Sequence, residues 1–560
     1  MKKKISLDLD NLSPENCRKL DNIYFRSQKN FLSVLDTIFK QTNGDRKWFF
    51  SSLFGRDHQQ SKLYLNLCYL KLIDEIQKKN KIETLSVENS ALKNTILSRY
   101  PEINVKVRNE YFKFFSNLLK IFYNLIVNLI FILNLALAKS KVRKNKIISQ
   151  KKIILIETFF LKNMFKNNQY FGGKYPSAIL EKIDKKTKDK VFLCPTILIN
   201  RPLKKYIRIA EKSYKNYVFF FDFLNLKDYF KSLFNFFYLG RIKKKDIYFN
   251  SYKINFLISR EKILNTFSQS TFVANINYYF FKRLQENDVD LELVIDWYEN
   301  QVIDRGFNLG KNTFFPNTKS KGYMGYVADF DGVQHFKPSI LEKKTDLLPN
   351  EINVIGKNIK KKVKVFCKSI KISTAPAFRN QYLFSSNNYK KQRKTKKKII
   401  LIILNGTVKE EKNISNILRI IQKKFSQNNY LFRVRPHRIS NLKEMGNLVF
   451  EIDKNNFQKS LSESDLVISG GSTASVEAVI FGKKVILIGN NNEFTVNPLR
   501  SFAGKDLYKV CYSPSEYEKA IKLYLNKGRN RIKKKSNLGK HLLKNYFERT
   551  TVNKCISFLR

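Results

Sequence analysis

From Lys152 onward, short apolar runs of strand length alternate with longer amphipathic segments. The runs are apolar throughout instead of alternating with polar residues, which is typical of parallel strands that helices cover on both faces. Residues 151–384 are therefore predicted to form an α/β domain with a Rossmann-like parallel sheet. Its predicted strands are Ile153–Ile156, Val191–Cys194, Tyr217–Phe221, Leu291–Trp297, Gly322–Val327 and Ile352–Ile355.

A second series with the same alternation starts at Ile399 and predicts a second Rossmann-like domain over residues 399–560. The basic stretch 385–398 between the two series is predicted to be a linker. Two such domains would face each other across a cleft, and ligands of parallel sheets bind at the carboxyl ends of the strands. The predicted elements are strands at Ile399–Leu404, Leu431–Val434, Leu448–Ile452, Leu466–Ser469 and Val485–Ile488, and helices at Lys409–Phe425, Ser472–Phe481 and Pro514–Asn526.

Residues 1–110 are predicted to be a polar, helical region without a catalytic motif. Residues 111–150 differ, because no charged residue occurs in the 18 positions from Ile121 to Ala138, a length at the lower limit for crossing a bilayer. Polar residues at helical spacing mark one stripe of this predicted helix. They are Lys113, Asn117, Lys120, Asn124 and Asn128.

Three arrangements of this helix stay open from the sequence: it lies in the membrane interface, packs on the protein core, or crosses the bilayer. A basic segment follows, which would meet anionic headgroups if the helix lies at a membrane. Its members are Lys139, Lys141, Arg143, Lys144 and Lys146. Basic residues flank both ends of the helix, so the positive-inside rule predicts no orientation.

The charge of the chain limits its partners. Lys and Arg number 105 against 47 Asp and Glu, a net charge of +58, and hydrophobic residues make up 43%, too many for a disordered chain. The lysines are spread over every segment, so most are expected to be solvated surface residues. An anionic membrane surface or a phosphorylated substrate explains the charge better than a nucleic acid does.

Cysteine and histidine usage argues against structural metal and disulfides. The six Cys are far apart and form no Cys-x-x-Cys pair, which fits a reducing compartment. With only four His, a His-rich metal centre is not expected. Residues Met1 to Asp8 have no apolar core, so no secretion signal is predicted.

The strongest chemical motif runs from Asp465 to Gly489 (DLVISGGSTASVEAVIFGKKVILIG). A predicted strand leads into Gly470 and Gly471, and Ser472 is a natural N-cap of the following helix. Glycines that permit close approach, the free N–H groups of a helix start and the hydroxyls of Ser472 and Thr473 suit a phosphate. Glu477, one turn into the helix, could accept hydrogen bonds from ribose hydroxyls. An ordinary strand–turn–helix would have the same pattern.

A second motif is the strand Leu431–Arg438 (LFRVRPHR). Alternation places Arg433, Arg435 and His437 on one side of the extended segment. Guanidinium groups and an imidazole at the carboxyl end of a strand suit a phosphate leaving group. These residues could also be ordinary surface or core residues.

The order of these two motifs resembles the C-terminal domain of GT-B-fold glycosyltransferases of bacterial surface carbohydrate, and in particular sialyltransferase-like and capsule-type enzymes. In that family a His-Pro motif and a Ser-Ser/Thr motif hold the nucleotide phosphate. Ser472 and Thr473 match the hydroxyl pair, whereas Pro436-His437 reverses the His-Pro order. The resemblance implies a nucleotide-sugar co-substrate, with CMP-linked sugars the first candidates, and no other cofactor.

The first half has motifs that look like those of predicted surface carbohydrate biosynthesis proteins, which carry Glu-Asn-Gln and Gly-x-Gln-His near their interdomain cleft. The motifs are Trp297–Gln301 (WYENQ), Gly332–His335 (GVQH) and Ala375–Arg379 (APAFR). This extends the resemblance to roughly residues 150–550. It implies sugar transfer to lipopolysaccharide O-antigen or capsule.

Inverting sugar transfer needs a base for the acceptor hydroxyl and charge stabilisation on the departing phosphate. Glu299, just after a predicted strand, is the first candidate base, and His335 is the second. Asp329 and Asp331 offer an Asp-x-Asp metal motif, but a polar turn is the favoured interpretation and no metal is expected. Gly172-Gly173-Lys174 is either an acceptor loop or, more simply, a turn.

These observations lead to a membrane-peripheral glycosyltransferase on the cytoplasmic face of the cell membrane, with a lipid-linked or polysaccharide acceptor. Two further hypotheses within enzymes are a polyol-phosphate transferase of the teichoic-acid type and a nucleotide-sugar epimerase. A non-catalytic saccharide-binding or assembly protein on the same fold is the alternative from another class.

Overall fold

The structure is a computed structural model of the chain. It describes residues 2–560 except 109, 162–163, 167–168, 171–173, 199–201, 236–244, 386–395, 407, 427, 438–439, 441, 443–444, 447, 501–505 and 527–531. For residues 110–114, 166, 169–170, 174, 408–410, 526 and 532–538 it describes the backbone alone. The predicted linker and Gly172-Gly173 therefore lie almost entirely outside the described residues.

The N-terminal region is mainly helical, as predicted, and also contains a three-stranded parallel sheet in the order β1–β2–β3 that the sequence pattern did not indicate. Ser13 caps the first helix by accepting a hydrogen bond from the Asn16 N–H, and Pro14 opens it. The elements are β1 (Lys3–Asp8), α1 (Pro14–Arg26), α2 (Gln28–Gln41), a 3₁₀ helix (Arg46–Phe50), α3 (Ser52–Gly55), α4 (Leu63–Lys79), β2 (Asn80–Val87), α5 (Ser90–Leu97) and β3 (Asn104–Val107).

Two helices follow, α6 (Glu110–Ala138) and α7 (Lys141–Ile148). The stretch Phe115–Ala138 of α6 is long and apolar enough to cross a membrane, judged by length and composition. Only 22% of its most apolar window is buried in the protein, so α6 packs on the core along one side and is not enclosed by it. Asn128, at the end of the polar stripe, is fully buried, and its amide donates to the Phe267 carbonyl oxygen at 2.8 Å, whereas Lys120 of the same stripe is exposed.

The N-terminal half of the α/β region forms a six-stranded, all-parallel sheet in the order β13–β12–β11–β10–β4–β7. Its strands are β4 (Ile153–Phe160), β7 (Val191–Ile197), β10 (Leu291–Trp297), β11 (Lys319–Met324), β12 (Glu351–Val354) and β13 (Lys371–Thr374), and two hairpins add β5 (Phe165–Lys166), β6 (Gln169–Tyr170), β8 (Tyr248–Phe249) and β9 (Tyr252–Lys253). Its helices are α8 (Lys174–Leu180), α9 (Lys185–Lys190), α10 (Lys204–Ser213), α11 (Phe220–Phe223), α12 (Leu226–Leu233), α13 (Asn255–Leu264), α14 (Gln269–Gln285), α15 (Val302–Phe314), α16 (Ile340–Lys344) and α17 (Lys357–Val363), with 3₁₀ helices at Lys364–Phe366 and Phe378–Phe384.

The C-terminal half forms a second six-stranded, all-parallel sheet in the order β16–β15–β14–β17–β18–β19. The chain is thus an α/β protein with two Rossmann-like sheets, as predicted. The elements are β14 (Lys398–Ile403), α18 (Val408–Lys424), β15 (Tyr430–Arg435), β16 (Glu451–Ile452), α19 (Phe457–Glu463), β17 (Leu466–Ser469), α20 (Thr473–Ile480), β18 (Lys484–Ile488), β19 (Tyr508–Cys511), α21 (Pro514–Asn526), α22 (Ile532–Tyr546) and α23 (Val552–Phe558).

The end of the chain crosses back onto the first sheet, which differs from the predicted boundary at residue 399. Helix α22 contacts both α20 and α17. The Lys321 ammonium donates to the Phe558 carbonyl oxygen at 2.9 Å, and the Phe558 ring packs against Tyr323 at 5.4 Å between centroids. One continuous buried apolar cluster therefore joins the two halves.

Two predicted strands are different in the structure. Residues 217–221 make one bridge, between Tyr217 and Leu193, and then turn into α11. The Asp222 carboxylate holds this turn, because it accepts the Ser140 N–H and the Arg143 guanidinium of the helix α7 segment. The predicted strand 448–452 is reduced to the two residues of β16.

Candidate functional site

Glu299 lies at the carboxyl end of β10, as predicted. Its carboxylate accepts hydrogen bonds from the Trp297 indole N–H at 2.8 Å and the Gln301 amide at 3.0 Å. Burial raises the pKa of Glu299, although the Trp297 bond and the nearby Arg379 guanidinium oppose the rise. Such a carboxylate is oriented by two donors and is more basic than an ordinary glutamate, which are the properties of a general base.

His335, the second predicted base, is 3% exposed and follows the loop after β11. Its backbone carbonyl accepts from the Asn300 amide at 2.8 Å, which ties it to the Glu299 segment. Asn300 has a φ of +56°, a left-handed backbone conformation that asparagine adopts more readily than most residues. Burial lowers the pKa of His335 to about 4, so its imidazole is neutral at pH 7.

Asp57 and His58 join this group from the N-terminal region, where the sequence indicated no catalytic residue. One potential ligand atom from each of Asp57, His58 and His335 lies within 4.8 Å of the others. The charge of Asp57 raises the pKa of both Glu299 and His335, so all these side chains share one neighbourhood. The only sign in the sequence was the polar run Arg56–Gln60 after an apolar segment, which has no recognised spacing.

The Asp-Phe-Asp turn does not bring its carboxylates together. Asp329 is buried and accepts from the backbone N–H groups of Gly332 and Asn497 at 2.7 and 2.8 Å. Asp331 pairs with the Lys362 ammonium at 2.6 Å. The two side chains thus have separate structural partners.

The Gly-Gly-Ser-Thr corner lies at the carboxyl end of β17, and its two hydroxyls differ. The Thr473 hydroxyl donates to the Val327 carbonyl oxygen of the first half at 2.7 Å. The Ser472 hydroxyl is buried and, among the described residues, has no hydrogen-bond partner. Gly471 lies against the loop after β18, since a Cβ there would be 2.2 Å from the Val496 carbonyl oxygen. At this corner the Ser472 hydroxyl, beside the N-terminus of α20, is therefore free of hydrogen bonds to the described residues.

The two arginines of β15 that the sequence analysis assigned to the donor phosphate are paired with carboxylates in the structure. Arg433 lies 2.6 Å from Glu463, and Arg435 lies 2.7 Å from Asp453. Alternation does put both on one side of the strand, but that side faces the carboxylates of β16 and α19. His437 is exposed beyond the end of the strand, in a turn closed by the Ser440 hydroxyl.

Glu477, which the sequence analysis assigned to ribose, is hydrogen-bonded to the segment between the two sheets. Its carboxylate accepts from the Asn380 amide at 2.5 Å and from the Tyr382 hydroxyl. Both partners belong to the 3₁₀ helix Phe378–Phe384 between the two sheets. Glu477 is therefore a tether between the halves.

The carboxyl edges of the two sheets face each other and touch. Thr473 contacts Val327, and Asp329 accepts from Asn497, so the loop that leads to His335 lies against the second sheet. Within the second sheet β14 alone separates β15 from β17, which places Ser472 and His437 on the same edge. The exposed Arg379 lies at this junction too, with its guanidinium 5.1 Å from the Trp297 ring centroid.

Arg379 is the second residue that sequence reasoning missed. It was part of the Ala-Pro-Ala-Phe-Arg motif, but nothing in the pattern gave it a role. No carboxylate lies within 4.0 Å of its guanidinium in the described part of the chain, in contrast to Arg433 and Arg435. Its charge nevertheless lowers the pKa of Glu299, so the two groups are close.

A cavity of about 270 Å³ lies away from this junction, between α2, α3 and α16. Its lining includes the buried Arg56 and Glu342, which pair at 2.7 Å. Arg305 binds the same carboxylate at 2.6 Å. Glu342 thus pairs with two buried guanidinium groups, while the Nε atom of Arg305 has no hydrogen-bond partner among the described residues.

No family model and no curated protein matches the chain. Solved structures with some similarity include the trehalose-6-phosphate synthase of Burkholderia multivorans (TM-score 0.41, 8% identity, 73% of this chain and 96% of that one). Others are the UDP-GlcNAc 2-epimerase of Methanocaldococcus jannaschii with UDP-GlcNAc and UDP (0.38, 13%, 70% and 99%) and the calicheamicin glycosyltransferase CalG4 (0.39, 10%, 70% and 95%). These similarities are too weak to support an argument about function.

Proposed function

We propose that this chain is a glycosyltransferase that moves a sugar from a nucleotide-sugar donor to a lipid-linked or polysaccharide acceptor of bacterial surface carbohydrate, such as O-antigen or capsule. The observation on which this rests is the junction of the two sheet edges. There an oriented, basic carboxylate on one sheet lies near an unpaired arginine, and the other sheet contributes an unpaired hydroxyl at a helix N-terminus. Inverting sugar transfer requires these three groups: a general base, a cation near the leaving group, and a hydrogen-bond donor to the departing phosphate.

Glu299 is the base in this proposal. Its carboxylate takes the proton of the acceptor hydroxyl while the acceptor oxygen forms a bond to the anomeric carbon. The bond between the anomeric carbon and the phosphate oxygen breaks, and its electron pair leaves with the nucleotide. The Trp297 and Gln301 donors hold the carboxylate in place, and the proton then passes to solvent.

Ser472 and Arg379 act on the departing phosphate. The Ser472 hydroxyl and the first N–H groups of α20 donate hydrogen bonds, and the dipole of the helix favours negative charge at that end. Arg379 supplies the positive charge that was expected from Arg433 and Arg435. These groups neutralise the charge that develops as the nucleotide leaves.

The test is a thermal-shift screen of the full chain against CMP-, UDP-, GDP- and CDP-linked sugars, since a ligand of the folded state raises its melting temperature. The sugar nucleotide that shifts the protein is then titrated by calorimetry into Ser472→Ala. Loss of a hydrogen bond to a charged group costs about 1.5–3 kcal/mol, so we expect roughly tenfold or greater weakening.

Ser462→Ala is the matched control, because the Ser462 hydroxyl is exposed on α19 and bonds only to the Lys459 carbonyl oxygen. The Ser472 hydroxyl has no hydrogen-bond partner in the described part of the chain, so its removal should leave the fold intact. Equal donor affinity in both variants, or no shift with any sugar nucleotide, would refute the proposal. Formation of an epimerised sugar nucleotide without transfer would identify an epimerase instead.

We further propose that α6 holds the enzyme on a membrane surface. Large apolar side chains cover its outer face, each at least 39% exposed, an arrangement typical of a surface that meets a membrane or partner. They are Phe115, Leu118, Leu119, Phe122, Tyr123, Ile126, Leu129, Ile130, Leu133 and Leu137. The opposite face packs on α11 and α14, which favours a helix lying in the interface over one that crosses it.

The basic segment after α6 contributes less than predicted. Arg143 pairs with Asp222 at 2.8 Å, and the Lys139 ammonium donates to the Leu224 carbonyl oxygen at 2.6 Å. Lys141 is exposed and remains available for headgroups. Attachment should therefore depend mainly on the apolar face and only modestly on salt.

Sedimentation with vesicles that contain anionic lipid tests this attachment. Phe122→Asn with Leu133→Asn removes two exposed apolar groups and should reduce the bound fraction at least several-fold. Val449→Asn with Val552→Asn is the control, because these side chains are 56% and 49% exposed but lie elsewhere. Equal binding of both double variants would contradict attachment through α6.

We place the enzyme on the cytoplasmic side of the cell membrane. All six cysteines are unpaired and buried, which supports a reducing compartment. Single cysteines introduced at exposed positions of α6 and treated in cells with a thiol reagent that does not cross membranes test on which side of the membrane the helix lies. Labelling without permeabilisation would contradict this location.

A further inference from the structure

Two of the four histidines of this chain meet at one place, although 277 residues separate them in the sequence. His58 and His335 come together beside Asp57, and one potential ligand atom from each lies within 4.8 Å of the others. The four-histidine count argued against a His-rich centre. Because the N-terminal region folds onto the first sheet, two of the four histidines nevertheless lie beside the carboxylate of Asp57.

Within the described residues, one ring nitrogen of each histidine in this cluster has no hydrogen bond, and His58 Nδ1 lies 3.8 Å from Asp57 Oδ1. The Nδ1 atoms of His58 and His335 are both buried and, in the described part of the chain, make no hydrogen bond. His335 is 3% exposed and Asp57 is 4% exposed. A buried nitrogen with no partner loses its hydration without compensation, so the cluster is incomplete without a further group.

We propose that Asp57, His58 and His335 bind one divalent transition-metal ion. Two imidazoles and one carboxylate form a ligand set of Zn²⁺ and of the octahedral divalent ions, and they leave coordination positions open. Ligand atoms about 2.0–2.2 Å from a metal lie roughly 3–3.5 Å apart, so small side-chain rotations close the 4.8 Å spread. The His58 side chain is 12% exposed and marks the side from which the ion enters.

The surroundings hold these ligands in place. The Gln59 N–H donates to Asp57 Oδ1 at 2.9 Å, and the Asn300 amide holds the backbone of His335. The Phe494 ring meets the His58 ring edge-on, with 6.0 Å between their centroids. Partners of this kind orient metal ligands, and their loss usually weakens a site tenfold or more.

Charge around the cluster is nearly balanced before the ion binds. Arg56 and Arg305 are the nearest cations, and both pair with Glu342. Asp57 supplies one more negative charge, which raises the pKa of the nearby Glu299. The bound ion therefore adds positive charge to a region that is next to the proposed site of a phosphate leaving group.

This assignment takes His335 out of proton transfer and leaves Glu299 as the base. It does not depend on sugar transfer, because the cluster and its ion are defined by protein groups alone. This metal site could not be predicted from the sequence, because its ligands come from two distant segments that form no recognised motif.

The experiment titrates Zn²⁺ and Co²⁺ alone into chelator-treated full-length protein. We expect one ion per chain by mass spectrometry of the metal content and, for Co²⁺, visible ligand-field bands that show binding to protein ligands. His58→Gln and His335→Gln should each weaken binding at least tenfold and remove the bands. His541→Gln is the control, because His541 lies on α22 and is exposed.

His58 is the more exposed of the two ligands, so His58→Gln is the variant that keeps the fold, which its metal-free melting temperature would verify. Absence of a stoichiometric ion in the wild type would overturn the proposal. So would wild-type affinity in His58→Gln. Nucleotide-sugar binding is measured on the same samples with and without the ion. Nucleotide-sugar binding without a stoichiometric ion would refute the metal site alone, and a bound ion without nucleotide-sugar binding would refute the proposed function alone.

Discussion

The carboxyl edges of the two sheets differ in how their predicted residues are used. On the first sheet, Glu299 and His335 lie in one buried neighbourhood and gain Asp57 and His58 from another part of the chain. On the second sheet, Arg433, Arg435, Glu477 and Thr473 all have protein partners, whereas the Ser472 hydroxyl has no hydrogen-bond partner among the described residues. The comparison teaches that a strand end predicts where a polar residue lies, whereas the neighbouring elements decide whether it is free to act.

The largest expected effect is at the first edge. Glu299→Gln keeps the shape and removes the proton acceptor, so kcat should fall about 100-fold or more, which is the usual contribution of general base catalysis. Wild-type activity should also decline on acidification at a higher pH than an ordinary glutamate would give, because the pKa of Glu299 is raised. Steady-state kinetics with the nucleotide sugar found by thermal shift measures both.

Glu292→Gln is the control for that variant, because Glu292 is an exposed residue of the same strand, β10, and pairs only with Lys190. Its kcat should equal that of the wild type. If Glu299→Gln behaves like Glu292→Gln, the base is not at this edge.

The second effect concerns the tether. Glu477→Gln replaces a carboxylate that accepts two hydrogen bonds, from Asn380 and Tyr382, with an amide that can accept at only one atom. One buried donor is left unsatisfied, which should lower the free energy of unfolding by about 1–3 kcal/mol. Chemical denaturation measures the change. If the variant keeps its stability but binds the nucleotide sugar much more weakly, Glu477 contacts the ribose, as the sequence analysis expected.

A smaller effect separates free from paired arginines. Arg379→Gln should weaken donor binding about tenfold, because it removes the unpaired cation at the junction. Arg433→Gln breaks the pair with Glu463 but should leave donor affinity unchanged. Calorimetry measures the donor affinity of both variants. A larger loss of affinity in Arg433→Gln than in Arg379→Gln would indicate that the phosphate binds at β15.

The smallest effect is on stability at the second edge. The Arg433 and Glu463 side chains are 13% and 14% exposed, so the pair is largely but not fully shielded from water. Its loss should cost about 1–2 kcal/mol, between the values for an exposed and a buried pair. A cost of several kcal/mol would mean that β15 depends on this pair far more than its exposure indicates.

The strands of both sheets could be predicted wherever an apolar run is continuous. Leu291–Trp297 and Leu466–Ser469 have the same bounds in the sequence prediction and in the structure. The run Tyr217–Phe221 has the same composition but becomes a bridge and a helical turn, because Asp222 is held by Arg143 from α7. That tertiary contact is not visible in local periodicity.

The candidate site could be predicted only in part for the same reason. Glu299 follows a strand, so its position on the edge is a local property of the chain. Asp57 and His58 reach that edge through packing of a region whose own small sheet, β1–β2–β3, was not predicted. The burial of Asn128 likewise involves the Phe267 carbonyl oxygen, which lies 139 residues away in the sequence.

The most direct test of the central claim is a crystal structure of the chain with the sugar nucleotide that stabilises it. The account predicts that a phosphate oxygen accepts a hydrogen bond from the Ser472 hydroxyl and lies near the Arg379 guanidinium, with the anomeric carbon on the side of Glu299. A nucleotide bound away from the junction of the two sheet edges, or turned so that its sugar points away from Glu299, would contradict it.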